Sequence, residues 1–264
     1  MKRRDFLKLG LAGLAVTATG AQLAGKRKSS SEGEKESPHS WAMVIDQSKC
    51  VGCNHCTLAC QADNDISPDI EWNRIVDSGE VAGKDTFLPI PCMHCDDPPC
   101  THICPVGASY KRSDGIVMMD YDRCIGCRYC EMACPYGARS FNWEDFKGEN
   151  PAVPTWGLPE VARRPRGVVE KCSFCYQRID RGLEMGLTPG VDQAATPACV
   201  VACPVGARMF GDLNDPESPV SKALAGHASF RLREDLGTEP RVYYLPVHEE
   251  SQEEVLECTP FKVE

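Results

Sequence analysis

The chain has 264 residues, a formal net charge of −9 and 17 cysteines. This length is enough for one or two domains with a hydrophobic core, and the excess of acidic residues argues against binding to nucleic acid or simple adsorption to anionic lipid. The cysteine count sets the chain apart, since its contents of charged residues (25%) and hydrophobic residues (42%) are ordinary.

The N-terminal segment, residues 1–25, is predicted to be a twin-arginine signal peptide. Arg3 and Arg4 begin the motif RRDFLK, and a modest apolar stretch follows from Leu9 to about Ala24. That stretch is interrupted by glycines and threonines, and it is shorter than the ~18–20 residues that span a bilayer. The chain is therefore expected in the periplasm or on the outer face of the cytoplasmic membrane. An uncleaved N-terminal anchor is the alternative.

The rest of the chain is divided by composition. Residues 26–40 are polar and low in complexity, so a flexible linker is predicted there. The main domain is expected over residues 41–235. An acidic tail with one strand, at RVYYLP, is expected over residues 236–264. Cys258 lies alone in that tail and is interpreted as a free thiol.

Sixteen cysteines form four groups in the predicted main domain. Group one contains Cys50, Cys53, Cys56 and Cys60; group two contains Cys92, Cys95, Cys100 and Cys104; group three contains Cys124, Cys127, Cys130 and Cys134; group four contains Cys172, Cys175, Cys199 and Cys203. Groups one and three each place three thiols within seven residues, and a fourth follows after three further residues. In group two DDPP separates the second and third cysteines, and in group four 23 residues separate them.

The groups belong to a repeated structural unit. An apolar segment and an acidic turn precede groups one and three, and CPVGASY, CPYGARSF and CPVGARMF end groups two, three and four. The pattern predicts a strand, a cysteine loop, a short helix that carries the last cysteine, a turn and a second strand. The proline ends the helix, and the glycine supplies a turn conformation that other residues resist. In group one, Gln61 replaces the proline, so that helix is expected to continue through QADND.

Three kinds of cysteine chemistry compete for these groups. Disulfides suit an exported chain, but neighbouring cysteines on one tight loop are poorly placed to bridge each other, and the total is odd. Structural zinc usually takes two well-separated CxxC pairs, often with histidine. Closely spaced thiols instead suit an iron–sulfur cluster, and RCIGCRYCEMACP matches the bacterial ferredoxin run C-x2-C-x2-C-x3-C-P. Iron–sulfur binding is predicted, with a zinc- or disulfide-stabilised binding protein as the remote alternative.

The ferredoxin pattern also predicts which cysteines share a cluster, because the fourth cysteine of each run ligates the other cluster. Only 19 residues, Pro105 to Arg123, join groups two and three, as in a compact ferredoxin, which leaves groups one and four to pair. The four predicted sets are named here after the group that supplies three of the thiols. They are Cys50, Cys53, Cys56 and Cys203 (site 1); Cys92, Cys95, Cys100 and Cys134 (site 2); Cys124, Cys127, Cys130 and Cys104 (site 3); and Cys172, Cys175, Cys199 and Cys60 (site 4).

Other residues near the cysteines receive lesser roles, and none is predicted to be catalytic. Three histidines are expected to be polar surface residues or neighbours of the ligands: His55, His94 and His102. Three arginines are interpreted as a docking patch or a solvated loop: Arg163, Arg164 and Arg166. Tyr129 and Phe174 lie between cysteines and are expected to shield the clusters from water.

From Trp41 to Phe210 the sequence resembles the four-cluster, ferredoxin-like electron-transfer subunits of respiratory oxidoreductases, such as the iron–sulfur subunits of dimethyl sulfoxide, polysulfide and tetrathionate reductases. All sixteen cysteine positions match, including DDPPC and CSFC. The leader and RPRGVVEKCSFCYQRIDRG are similar to those of the exported iron–sulfur subunit of the sulfite-reduction-associated membrane complex. The resemblance implies four [4Fe–4S] clusters and an α+β, loop-rich fold. That fold has two ferredoxin-like modules of short strands and short helices, one from groups one and four and the other from groups two and three.

The resemblance also implies the function and the partners. The chain is expected to relay electrons between an integral membrane quinone-reactive subunit and a catalytic molybdenum subunit or a multihaem cytochrome. Its association with the membrane is expected to be through these partners. A free, soluble, exported polyferredoxin that carries electrons outside any complex is the alternative.

Overall fold

The computed structural model of the chain describes residues 37–81 and 83–247. The predicted signal peptide and Cys258 lie outside these residues. The strands are β1 (Trp41–Asp46), β2 (Arg74–Val81), β3 (Lys84–Ile90), β4 (Ser109–Lys111), β5 (Val117–Met119), β6 (Ser140–Phe141), β7 (Val169–Glu170), β8 (Arg208–Asp212) and β9 (Val242–Leu245). The α-helices are α1 (His55–Asp63), α2 (Pro99–His102), α3 (Tyr129–Met132), α4 (Tyr176–Glu184), α5 (Ala198–Val201) and α6 (Pro219–Gly226). Short 3-10 helices cover Gln193–Ala195 and Glu234–Leu236.

A three-stranded sheet in the order β8-β1-β9 holds the two ends of the described chain together. Strand β1 is antiparallel to β8 and parallel to β9, and all six of its residues are buried. Its side chains alternate between two hydrophobic cores, because successive residues of a strand point to opposite faces. Met43 and Ile45 pack in the larger core, whereas Val44 packs against α6 through Val220.

The folded domain extends beyond residue 235, where the sequence placed its end. Strand β9 lies within the expected acidic tail, at the position where a strand was predicted, and it pairs with β1 from Met43↔Val242 to Asp46↔Leu245. Val242 and Tyr244 are fully buried in the larger core. The boundary was wrong because the burial of these side chains depends on a partner strand about 200 positions away in the sequence.

Three two-stranded sheets connect successive cysteine groups. The pair β2–β3 lies between groups one and two, β4–β5 between groups two and three, and β6–β7 between groups three and four. Each pair is antiparallel. No helix in the described ranges is long and apolar enough to cross a membrane.

The short helices carry the third cysteine of each group and, except in group one, end before the fourth, so the prediction that they carry the last cysteine is wrong for groups two, three and four. Helix α3 ends at Met132, two residues before Cys134, and helix α5 ends at Val201, two residues before Cys203. The fourth cysteine precedes a proline in these groups, and a residue before proline is disfavoured in the helical conformation. Group one has no such proline, and α1 continues past Cys60 as the sequence predicts, although it ends at Asp63, two residues before the end of QADND.

A close contact between the loop after α4 and strand β8 requires glycine at position 190. Its φ is +94°, and a Cβ placed there would lie 2.0 Å from the carbonyl oxygen of Phe210. We expect Gly190→Ala to destabilise the holoprotein by about 2–4 kcal/mol, the sum of unfavourable backbone conformation and overpacking. The loss would be measured by anaerobic denaturant unfolding, followed through the visible absorbance of the predicted iron–sulfur clusters.

Gly186→Ala is the matched control, because Gly186 also has a positive φ, +73°, but a Cβ there meets nothing within 4 Å. It should cost only about 1–2 kcal/mol, from the backbone conformation alone. Equal losses in the two variants would contradict a steric role for Gly190.

Candidate iron–sulfur sites

Sixteen cysteines lie in the described residues, and all are free thiols. Three of the four predicted sets each line one cavity. The four thiols of site 1 line one cavity, those of site 2 line a second, and those of site 3 line a third. Thiols from runs far apart in the sequence therefore face a common space.

The fourth set is also brought together, at the junction of α1, α4 and α5. The side-chain amide of Asn64 lies 3.8 Å from the Cys60 sulfur and 3.6 Å from the Cys175 sulfur. Burial raises the pKa of the Cys60 thiol, and the neighbouring Cys175, Cys172 and Cys199 raise it further. These three are the cysteines predicted to share site 4 with Cys60.

Strand pairing explains how distant groups meet. Strand β1 leads into group one, and its antiparallel partner β8 begins five residues after Cys203. Strand β4 follows group two and pairs with β5, which leads into group three. These strand pairs thus bring groups one and four together at one place and groups two and three together at another.

The turns after the fourth cysteines direct backbone N–H groups at sulfur. The amide of Ala207 donates to the Cys203 sulfur at 3.2 Å, and the amide of Ser109 donates to the Cys104 sulfur at 3.5 Å. Backbone amides from Val106 to Ser109 lower the pKa of Cys104, although burial acts in the opposite direction. Donors aimed at sulfur stabilise the thiolate, which is the form that binds metal.

The four sites differ in their exposure to solvent. Every thiol of site 4 is buried, as are three of the four at site 2. Sites 1 and 3 each have one exposed thiol, Cys53 and Cys127 respectively. Burial raises the pKa of Cys95 in site 2 and of Cys172 in site 4 to about 12. Such thiols become thiolates at neutral pH only when they bind a metal centre.

The donor set fits an iron–sulfur cluster. In the described part of the chain, no three His, Cys, Asp or Glu side chains converge closely enough to hold a single metal ion. The thiols of sites 1 to 3 instead surround a cavity, as they would around a cofactor of several atoms. Four thiols with nearby N–H donors are the ligand set of a [4Fe–4S] cluster.

Three buried cations lie among the sites, and sequence reasoning missed them. They are Arg139, Lys171 and Arg208. Arg139 and Arg208 occupy the same position in the repeats CPYGAR and CPVGAR, five residues after Cys134 and Cys203. A repeated arginine at the start of an otherwise apolar segment was the signal that could have identified two of the three.

His94 is buried next to the ligands, which is the second of the two positions expected for it. Its ring stacks on that of Phe174 with centroids 3.7 Å apart, and its Nδ1 accepts a hydrogen bond from the amide of Val117 at 3.0 Å. Burial, followed by the charge of Lys171, holds its pKa well below the usual value. His94 lies in the site 2 loop and Phe174 in the site 4 loop, so their stack joins these two sites.

The predictions for the other residues near the ligands are confirmed only in part. His102 is exposed, in agreement with the prediction of a surface residue, and His55 is partly buried against Trp156 at 4.6 Å between ring centroids. Phe174 is buried, as expected for a residue that excludes water. Tyr129 is 57% exposed and provides no such shield, because it lies on the outer face of the short helix α3.

The three arginines at 163–166 do not form one solvated patch. Arg164 is buried and pairs with buried Glu170 at 2.6 Å, while its other nitrogens donate to backbone carbonyls, including that of Asp65 at 3.0 Å. Arg163 forms a two-point pair with Asp65, and only Arg166 is exposed. A buried carboxylate six residues along the chain provides the partner that makes burial of Arg164 possible.

Arg164→Ala is expected to destabilise the holoprotein by about 3–5 kcal/mol, because it leaves the buried Glu170 carboxylate without its partner. The midpoint of anaerobic denaturant unfolding would report the loss. The double variant Arg164→Met, Glu170→Met removes both charges and should be more stable than Arg164→Ala. A double variant that is as unstable as the single one would show that the unpaired charge of Glu170 does not cause the loss of stability in Arg164→Ala.

Comparisons with known proteins agree with this chemistry. Two models described as 4Fe–4S dicluster domains match, one over residues 84–150 and one over residues 123–207. The iron–sulfur cluster-binding subunit of menaquinone reductase from Nitratidesulfovibrio vulgaris is 42% identical over 80% of this chain and 90% of its own length. The Hdr-like menaquinol oxidoreductase iron–sulfur subunit 1 of Archaeoglobus fulgidus is 39% identical over 92% of this chain and 97% of its own length. The iron–sulfur subunit of arsenate respiratory reductase from a Shewanella species is 38% identical over 77% of this chain and 94% of its own length.

Proposed function

Because the chain belongs to the family of four-cluster iron–sulfur subunits of respiratory oxidoreductases, we propose that it connects a quinone-reactive membrane subunit to a catalytic molybdenum subunit or a multihaem cytochrome. The chain carries four [4Fe–4S] clusters, which supply one-electron chemistry when bound. It relays electrons within an oxidoreductase complex. The observation that carries the proposal is the convergence of sixteen thiols in four sets of four.

The ligands proposed for each cluster are the four thiols of one site. The shared cavities of sites 1, 2 and 3 support this assignment, as do the mutual contacts at site 4. The same contacts support a two-module arrangement, with sites 1 and 4 in one ferredoxin-like module and sites 2 and 3 in the other. Thiolates hold the iron, backbone amides donate to sulfur, and the buried side chains around the sites exclude water.

The proposed electron entry and exit points are sites 1 and 3, because each has an exposed thiol while site 4 is fully buried. Large apolar side chains are exposed beside both: Val51 at site 1, and Ile125 and Met132 at site 3. Apolar side chains around an exposed redox site are suited to contact with another subunit. Menaquinone and menaquinol in the names of two relatives support a quinone-reactive partner.

Size-exclusion chromatography of an anaerobic membrane extract tests the complex. The chain should elute with a membrane subunit and a catalytic or cytochrome subunit, well above its own mass of 29.0 kDa. Elution near that mass without partners would favour a free electron carrier. The double variant Ile125→Lys, Met132→Lys should release one partner and keep its iron. Leu158→Lys is the control, because Leu158 is equally exposed but is not beside a cysteine.

Export by the twin-arginine route is proposed from the leader sequence. Arg3 and Arg4 provide the motif, and the apolar segment after them is short. Replacing both arginines with lysine should leave the chain in the cytoplasmic fraction after cell fractionation. An unchanged distribution of this variant would contradict the proposal.

A further inference from the structure

Three buried cations have no carboxylate partner among the described residues. Arg139, Lys171 and Arg208 make hydrogen bonds only to sulfur, hydroxyl, amide and carbonyl acceptors. Buried Arg164, by contrast, pairs with the carboxylate of Glu170 at 2.6 Å. An uncompensated buried cation is costly, so a negative charge is required near each of the three.

Arg139 lies between sites 2 and 3. Its guanidinium donates to the sulfur of Cys100, in site 2, at 3.0 Å and to the hydroxyl of Ser109 at 2.6 Å. It also lies beside site 3, because the backbone amide of the same Ser109 donates to the sulfur of Cys104 at 3.5 Å. One arginine therefore lies next to ligands of two neighbouring clusters.

Arg208 holds the equivalent place between sites 1 and 4. Its strand, β8, packs against α5, the helix that carries Cys199 of site 4. Burial raises the pKa of the Cys199 thiol, and the charge of Arg208 opposes that rise. It also donates to the side-chain oxygen of Asn73 at 2.5 Å, and the amide of Asn73 donates to the sulfur of Cys56, in site 1, at 3.3 Å. The repeat that places Arg139 at one pair of sites places Arg208 at the other.

Lys171 lies between sites 2 and 4, where the two pairs meet. Its ammonium donates to the carbonyl of Cys172, in site 4, at 2.7 Å and to the carbonyl of Val117. Val117 lines the cavity of site 2, so the same ammonium also lies beside that site. The three cations thus join the sites in the order 3, 2, 4, 1, with one cation at each junction.

We propose that Arg139, Lys171 and Arg208 set the reduction potentials of the clusters on either side of them, and that they compensate the burial of sites 2 and 4. This inference rests on the proposed ligand sets. Reduction adds negative charge, so a fixed cation in a low-dielectric interior favours the reduced form and raises the potential. Burial acts in the opposite direction, because it disfavours the added charge.

The distribution of the cations follows the distribution of burial. The more buried sites, 2 and 4, each face two cations, whereas sites 1 and 3, which have exposed thiols, each face one. The arrangement therefore raises potentials most where burial lowers them most. It makes electron transfer through the interior sites less unfavourable in energy.

The test is a redox titration of the purified complex, followed by electron paramagnetic resonance of the four clusters. Arg139→Gln keeps a hydrogen-bond donor and removes the charge. Two of the four spectral components should become harder to reduce. We expect at least a tenfold fall in their reduced-to-oxidised ratio at fixed potential, which is about 59 mV for a one-electron couple.

The pattern across variants can be read without assigning components to sites. Arg208→Gln should shift the two components that Arg139→Gln leaves unchanged. Lys171→Met should shift one component from each pair. Arg139→Lys and Arg208→Lys keep the charge and should shift less than the glutamine variants. Exposed Arg166 provides the surface control, and Arg166→Gln should shift none.

Several outcomes would overturn the inference: unchanged potentials with four clusters retained, the same two components moving in both glutamine variants, or equal shifts in the lysine and glutamine variants. If Arg139→Gln loses iron, the number of clusters lost distinguishes a local charge requirement from a general role in folding. Loss confined to two clusters and prevented in Arg139→Lys supports a charge requirement at those sites, whereas loss of all four would show a general role in folding. Fewer than about sixteen iron atoms in the unaltered chain would instead contradict the four-cluster function itself.

Discussion

Replacing Cys134 with alanine is expected to remove the cluster at site 2 and to leave the cluster at site 3. Cys134 belongs to group three, whose other cysteines form site 3, so sequence proximity alone gives the opposite expectation. In the structure Cys134 lines the cavity of Cys92, Cys95 and Cys100. The proline after Cys134 ends helix α3 and lets the chain turn toward site 2.

Iron analysis and electron paramagnetic resonance together measure this effect. Iron should fall from about sixteen to about twelve atoms per chain, since one cluster of four is lost. The missing component should match the one lost in Cys92→Ala. Cys104→Ala is the reciprocal control, because Cys104 lies in group two but lines the cavity of site 3. A spectrum of Cys134→Ala that matches Cys124→Ala would show that each run ligates its own cluster.

Sequence reasoning succeeded where the controlling forces are local. The predicted strand before group one occurs, and helix α1 continues past Cys60 as predicted, although it ends at Asp63 and not at Asp65. Proline position, turn glycines and cysteine spacing act over a few residues, so they can be read directly. The spacing also predicted which thiols would face each other across the fold.

Sequence reasoning failed where burial depends on distant partners. Arg164 was expected in a docking patch or a solvated loop, yet it is buried by pairing with Glu170. For His94 the sequence left a surface position and a position beside the ligands open, and only its stacking on Phe174 shows which applies. The same limit hid Lys171, whose acceptors include the carbonyl of Val117, 54 residues away. A charged residue next to a cysteine does not by itself indicate whether it faces solvent or a cluster.

Removing the iron is expected to unfold most of the described domain. Helices α2, α3 and α5 have four residues each, and all but one of the sheets have two strands. Helices and hairpins of this size are marginal in water without tertiary support. In all four sites the thiols come from runs that are distant in the sequence, so the clusters supply the missing long-range links. Binding energies of structural metals in small domains, about 10–16 kcal/mol, are comparable to the whole stability of a domain.

Small-angle scattering and near-ultraviolet circular dichroism of anaerobically chelated protein would measure this unfolding. For a chain of this length the radius of gyration is about 18 Å when folded and about 57 Å when unfolded, so the chelated protein should move well toward the larger value and lose its aromatic dichroism. Adding iron and sulfide under reducing conditions should restore both signals. Among the described elements, the sheet β8-β1-β9 is the most expected to remain folded after chelation, because β1 is wholly buried and contains no cysteine. A chelated chain that stays near 18 Å with its aromatic signal intact would show that the hydrophobic cores fold first and that the thiol sites form on a finished scaffold.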